Sequence, residues 1–265
     1  MRAFRYHRPT TLAQAAALAK GEAKFLAGGQ TLVQAMRLRL AAPSDLIDLA
    51  AIGELAGIRA SATEVTIGAT ARHADVAESE AVKKSIPALA ALAGGIGDRQ
   101  VRALGTLGGS IANNDPAADY PAAVLGLGAT VITNQRRIPA DEFFKGLYET
   151  ALAPDEIISA VSFPVPKRAA YEKFKNPASR FAIVGVFVVD FGGGKVRVAV
   201  TGAGPCVFRQ KDMERALASK FAPEAVAAIR QSPEGLNGDL HAAADYRAHL
   251  VTVMAKRAVA SALGQ

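Results

Sequence analysis

Two prolines flank Val165, and neither a helix nor a central strand can run through Pro164-Val165-Pro166. Proline fixes φ, donates no N–H and forces the residue before it out of the helical region. The charged pair Lys167-Arg168 follows at once. Elements must stop here, and the patterns on the two sides differ. Upstream, short helix and strand signals alternate. Downstream, two β-rich runs, Phe181 to Phe191 and Lys195 to Thr201, are joined by Gly192-Gly193-Gly194, a hairpin signal. The chain of 265 residues therefore reads as α+β in two domains, 1–166 and 167–265, the first divided into subdomains of about 1–55 and 56–166.

The first 50 residues give strand, helix, strand, helix and strand. Thr10-Thr11 opens an alanine-rich helix that Gly21 stops. Lys24 to Ala27 is a short strand, Leu32 to Leu40 a helix ended by Pro43, and Asp45 to Leu49 a strand. Residues 57–60 and 64–69 form a hairpin, and Thr70 is read as the N-cap of a helix through His73 and Val76. An apolar helix covers Ile86 to Ala93, and Gly94 to Tyr120 is a long glycine-punctuated stretch. Then come a helix near Pro121 to Leu127 and strands at Ala129 to Thr133 and Ile157 to Phe163. The last part offers helices at Lys211 to Lys220, Pro223 to Arg230 and about Asp245 to Leu263, the last packing on its own hairpin.

Composition removes several classes. A lone cysteine, Cys206, allows neither an internal disulfide nor a thiolate-held zinc or iron–sulfur site within this chain. Cys206 reads as a small buried hydrophobe. The four histidines form no ligating pair, so no metal site is expected. His73 reads as a surface residue at a helix start, and Asp98 to Arg102 as either a solvated turn or a partner-facing basic patch, the solvated surface being favoured. The net charge of +7 favours anionic ligands. The cations are scattered and tryptophan is absent, so nucleic acid is not an expected partner. No apolar run is long enough for a membrane span, and no targeting segment is visible; the cytoplasm is the expected compartment.

Three segments carry chemistry. Leu26-Ala27-Gly28-Gly29-Gln30-Thr31-Leu32 is a strand, a small-residue turn and a helix start. Glycines admit a ligand close to the backbone, and successive N–H groups at such a turn make an anion nest suited to a pyrophosphate. The spacing is neither that of a dinucleotide-binding Rossmann loop nor that of a P-loop. The second is Gly105-Thr106-Leu107-Gly108-Gly109-Ser110-Ile111-Ala112-Asn113-Asn114, with Asp119 downstream as an acceptor for ligand hydroxyls. The third, Tyr171 to Arg180, is rich in donors just past the proline boundary, where it can close a ligand site between domains. Alone, each also fits a plain turn, a mobile loop or a solvated edge strand.

In order along the chain, these segments resemble the flavoprotein (medium) subunits of the molybdenum hydroxylases, a group that includes aerobic carbon monoxide dehydrogenase and xanthine dehydrogenase. The resemblance also takes in Ile67-Gly68-Ala69-Thr70, Asp115-Pro116-Ala117-Ala118-Asp119, Arg137 to Phe144 and Pro154 to Ile158, and so spans essentially the whole chain. It implies a two-part FAD-binding domain of the PCMH type, then a smaller α+β domain with an antiparallel sheet. It implies bound FAD, with the pyrophosphate on Ala27 to Thr31 and Thr106 to Ser110. Leu26, Leu32, Thr70 and Asn114 lie in or beside those motifs. Asp119 falls on a position at the cofactor's polar middle, Ile158 on an apolar one near a ring, and Lys175 on a basic one from the second domain. Gln30, Thr31 and Leu107 depart mildly from the usual His, Ser and Ile. The implied role is electron transfer, with no acid or base of this chain acting on the organic substrate. The implied partners are a large molybdenum-cofactor subunit and a small two-iron two-sulfur subunit, in a heterotrimer or a dimer of heterotrimers. A self-contained FAD oxidase or reductase and a non-enzymatic anion-binding module are the alternatives.

Overall fold

The computed structural model describes residues 1–265 and contains three main sheets, one after another along the chain. The first is parallel, with β1 (Arg5–His7), β2 (Lys24–Leu26) and β3 (Asp45–Asp48) in the order β1-β3-β2. The crossovers are helices, as parallel pairing requires: α1 (Leu12–Leu18), capped by the Thr11 hydroxyl, and α2 (Leu32–Arg37). Ala15, Ile47, Leu49, Ile52, Leu55 and Ile157 form a small core under this sheet. α2 ends at Arg37 rather than at Leu40. Leu38 and Leu40 are 71% and 80% exposed, so no apolar face rewards another turn, and Arg39 turns left-handed at φ 62.

The second sheet is built from β4 (Ile58–Ala60), β5 (Glu64–Gly68), β6 (Thr130–Thr133), β7 (Arg137–Pro139) and, after the small hairpin β8 (Phe144–Gly146) and β9 (Glu149–Thr150), β10 (Ile158–Pro164). Its order is β4-β5-β10-β6-β7, antiparallel throughout. Between β5 and β6 run α3 (His73–Glu78), α4 (Glu80–Ser85), α5 (Pro87–Gly94), α6 (Arg99–Leu104), α7 (Leu107–Asn113) and α8 (Tyr120–Gly126), and α9 (Ala140–Phe143) follows β7. The stretch from Gly94 to Tyr120 is thus not one long loop. Asp98 accepts the Val101 N–H and starts α6, so Asp98 to Arg102 is a helix start rather than a turn. Thr70 is not a cap: Arg72 occupies that position and its N–H is taken by Asp75, while the Thr70 hydroxyl donates to the Leu55 carbonyl.

The third sheet is antiparallel and sequential: β11 (Arg168–Lys175), β12 (Ala182–Asp190), β13 (Val196–Thr201) and β14 (Phe208–Arg209). α10 (Lys211–Ser219), α11 (Pro223–Val226) and α12 (Ala244–Ala262) complete the chain. α11 stops at Val226, four residues before the expected Arg230. All nine residues of β12 are buried. Val184, Val186 and Val188 pack in the core under α12 with Val251, Met254 and Ala255, whereas Phe187 and Val189 join the larger core of the second sheet. α12 lies on its own sheet, as expected. Cys206 is half-buried rather than fully so.

Candidate functional site

The turn after β2 exposes a row of unpaired backbone donors. The N–H groups of Gly28, Gly29, Gln30, Thr31 and Leu32 make no bond to any carbonyl or side chain of the protein. Gly29 sits at φ +71, the left-handed conformation that lets consecutive N–H groups converge. The Gln30 side chain folds back toward the Gly28 carbonyl at 3.5 Å and leaves those donors open. Such a row of N–H groups is free to donate to a ligand.

The second glycine segment plays a different part. Its N–H groups are already taken: Leu107 donates to Ala71, Gly108 to Ala69, Ser110 to Thr106, and Gly109 to the Thr106 hydroxyl. Its glycines serve close approach instead. A Cβ on Gly28 would lie 2.2 Å from the Leu104 carbonyl, and one on Gly108 would lie 2.6 Å from the Ala69 Cβ. A Cβ on Gly109 would stand 3.9 Å from Ala27. Segments 26–32, 69–72 and 104–110 therefore meet, locked further by the bridge between Arg72 and Thr106. β10 joins them, since the Ala69 N–H donates to the Ser159 carbonyl beside Ile158.

The other expected residues have varied surroundings. Leu107 and Ile158 are buried in the main core. Asn114 caps α7 at φ 44, and its Nδ2 donates to the Gly146 and Glu149 carbonyls, holding the β8–β9 hairpin. Leu26, Leu32, Thr70 and Ser110 are half-buried, and Thr31 and Gly109 are exposed. Lys175 is exposed at the end of β11. Asp119 is 3% exposed; both its oxygens accept from Lys173 Nζ, at 2.9 and 3.0 Å, and one accepts from the Tyr171 hydroxyl at 2.5 Å. Burial raises the Asp119 pKa, against the pull of Lys173 and Tyr171. The same burial, with the Asp119 charge beside it, keeps Tyr171 protonated. Lys173 also donates to the Gly95 carbonyl, so this network ties β11 to the end of α5.

One residue packed against the second glycine segment escaped the sequence. His73 is 5% exposed, not on the surface, and a Cβ on Gly105 would strike its Nε2 at 2.5 Å. Its ring lies 5.3 Å from that of Tyr120, and its Nδ1 has no partner, nor does the Tyr120 hydroxyl. Burial, with a smaller push from Arg102, lowers the His73 pKa to about 4. A neutral imidazole therefore backs the second glycine segment. Only the contact across from Gly105, invisible in spacing, reveals it.

The donor row and glycine cradle suit a pyrophosphate, and comparisons with known proteins point the same way. Residues 2–166 match the family model described as the FAD binding domain in molybdopterin dehydrogenase, and residues 169–262 match the CO dehydrogenase flavoprotein C-terminal domain. The chain is 36% identical to the carbon monoxide dehydrogenase medium chain of Hydrogenophaga pseudoflava, over 98% of this chain and 96% of that one. It is also 36% identical to the nicotine 6-hydroxylase medium subunit of Paenarthrobacter nicotinovorans, over 98% and 97%. Among solved structures, carbon monoxide dehydrogenase from Hydrogenophaga pseudoflava superposes with a TM-score of 0.88 at 34% identity, covering 99% of this chain and 98% of that one. Quinoline 2-oxidoreductase from Pseudomonas putida 86 gives a TM-score of 0.89 at 27% identity, covering 99% and 98%.

Proposed function

Because the chain belongs to the FAD-binding flavoprotein family of the molybdopterin dehydrogenases, we propose that it is the electron-transfer subunit of a molybdenum hydroxylase complex. In this reading a large partner subunit oxidises the substrate at molybdenum. A small partner subunit carries the electrons through two-iron two-sulfur clusters, and this chain hands them to an external acceptor. A single cysteine supports the division of labour, since a cluster needs several thiolates. FAD, when bound, supplies the exchange between two-electron and one-electron chemistry; the protein supplies position and electrostatics.

The observation that carries the reading is the row of five free N–H groups from Gly28 to Leu32. We assign the pyrophosphate to this row, with exposed Gly109 and half-buried Ser110 beside it. Residues 1–166 hold the cofactor and residues 167–265 close over it. From the second domain Lys175 brings a cation to the flavin end, where it favours negative charge on the reduced ring. Replacing Lys175 by Met should lower the flavin potential, and an unchanged potential in a redox titration would remove Lys175 from that role.

The deciding experiment is an absorbance spectrum of the purified chain, followed by heat release and identification of the cofactor. FAD at about one per chain supports the assignment. A chain that binds no FAD, even when FAD is added, returns both glycine segments to plain turns. Turnover of an organic substrate by the chain alone would favour a self-contained oxidase.

A further inference from the structure

The chain's net charge is not spread evenly over the fold. Its first 44 residues hold seven cations and one carboxylate, Glu22, a net +6 of the whole chain's +7. The parallel sheet sorts those residues between two ends. β1 and β2 both pair β3 in parallel, with Arg5 opposite Asp45 and Lys24 opposite Leu46, so all three strands start at one end and finish at the other. The turn from Gly28 to Leu32 comes just after β2, which puts the row of free N–H groups at the finishing end. Residues 1–4, 19–23 and 38–44 lead into the three strands and gather at the starting end. Two main-chain bonds tie them together there: the Arg5 N–H donates to the Ser44 carbonyl, and the Ser44 N–H to the Glu22 carbonyl.

The starting end combines free cations with apolar side chains in water. Arg2, Lys20, Lys24, Arg37 and Arg39 are all exposed there. The ion pairs of this subdomain take up only Arg5, His7 and Arg8, on Asp45 and Asp48, so these five cations have no carboxylate partner. Arg37-Leu38-Arg39-Leu40 alternates charge and leucine, and the two leucines are the most exposed large apolar side chains of residues 1–166. Phe4, next to the bond between Arg5 and Ser44, is exposed as well. The segment is a bonded turn. The Leu38 N–H donates to the Gln34 carbonyl, the Arg39 N–H to that of Met36, and the N–H groups of Leu40 and Ala41 both to that of Ala35. Arg39 takes φ 62, where a residue with a Cβ is strained. Hydrogen bonds and one strained residue thus hold the two leucines away from the core. Exposed apolar side chains set among charges mark a contact surface.

We propose that this end of the first sheet is a contact surface for an anionic lipid bilayer. Leu38 and Leu40 enter the boundary between headgroups and acyl chains, while the arginines and lysines reach along their stems to lipid phosphates. Each cation near an anionic bilayer adds attraction, and all five are unpaired. A lipid surface yields to projecting side chains, whereas an acidic protein would have to present a matching hollow for each leucine. No helix is long and apolar enough to cross a membrane, so the contact is peripheral. The surface lies at the other end of the sheet from Gly28 to Leu32, so a bound bilayer leaves the proposed cofactor row uncovered. Charge and exposure carry this assignment, whatever cofactor that row holds.

Co-sedimentation of the purified full chain with extruded vesicles tests it, using phosphatidylcholine alone and phosphatidylcholine mixed equally with phosphatidylglycerol. Binding is expected to the mixed vesicles alone, and raised salt should weaken it. The double variant Leu38→Ser, Leu40→Ser and the double variant Arg37→Gln, Arg39→Gln should each bind roughly tenfold or more weakly. Leu240→Ser, at a fully exposed position of the second domain, should bind like the parent. Every changed residue is exposed, so the variants keep the fold, which far-UV circular dichroism checks. Equal binding to neutral vesicles, or binding that either double variant leaves unchanged, overturns the assignment. So does a chain that binds neither vesicle, which would leave an acidic protein as the occupant of this surface.

Discussion

A methyl group decides whether the two glycine segments can meet. At residue 28 it would enter the Leu104 carbonyl at 2.2 Å, and the obstacle is backbone that cannot swing away. Gly28→Ala should therefore part segments 26–32 and 104–110, destabilise the chain by about 1–3 kcal/mol, and lose FAD. The check is cofactor content together with the urea midpoint; a variant with full FAD content would show that the contact is dispensable. Asp119 sets a second residue-scale test. Its carboxylate is buried and its charge is held by Lys173. Lys173→Met should cost about 3–5 kcal/mol at pH 7, because a buried charge is left without its partner. Burial raises the native Asp119 pKa above that of the unfolded chain. The native state then takes up a proton first, so the penalty shrinks as pH falls through that raised value. Urea unfolding of both proteins at pH 7 and pH 5 should give a smaller gap at pH 5, and an equal gap would argue against a charged Asp119.

Helix α3 places a titrating group under the site. His73 is neutral in the native state, with its pKa lowered from 6.5 to about 4 by burial. The unfolded chain protonates first as pH falls. Stability contributed by the neutral ring is complete above about pH 6.5 and is lost toward pH 4, amounting to about 3 kcal/mol. His73→Gln should remove this part of the acid sensitivity, so the stability lost between pH 7 and pH 4.5 should be smaller than in the parent; equal losses would place the His73 titration outside this range. His73 also shows what a sequence conceals at this scale. Most of the strands and the hairpin 58–68 were legible because alternation and turn residues are local, whereas β7, β8, β9 and β14, two or three residues each, are too short to show alternation. α6 and α7 were not, because the glycines and threonines between Gly94 and Tyr120 read as loop until Asp98 and Thr106 are seen as caps. The first glycine segment was legible as a turn whose N–H groups stay open. That the second has its N–H groups bonded to Ala69 and Ala71 was not, because those partners come from another element. Nor could spacing pair Asp119 with Tyr171 and Lys173, which lie 52 and 54 residues away.

In the whole molecule the proline boundary divides the chain without dividing its core. β12 is buried along its full length and serves both sides: Val184, Val186 and Val188 face α12, while Phe187 and Val189 pack with the helices of the second sheet. A Cβ on Gly126 of α8 would already lie 3.1 Å from the Phe187 ring, and that ring stacks 6.0 Å from Tyr171 of the Asp119 network. Domain contacts that are small and polar let domains unfold separately; a shared apolar core couples them. Urea unfolding should therefore show one transition, seen alike by far-UV circular dichroism and by tyrosine fluorescence. Phe187→Ala removes a fully buried ring and should cost about 3–5 kcal/mol. If the core is shared, the whole transition moves to lower urea with both probes still coincident. If the two parts fold independently, the variant should split the curve instead, with 1–166 and 167–265 melting apart. The coupling matters for the proposed function because Lys175 stands on the second part while the row of free N–H groups from Gly28 to Leu32 stands on the first. A ligand held by both needs the two walls to keep one spacing, and the shared β12 core is what fixes it.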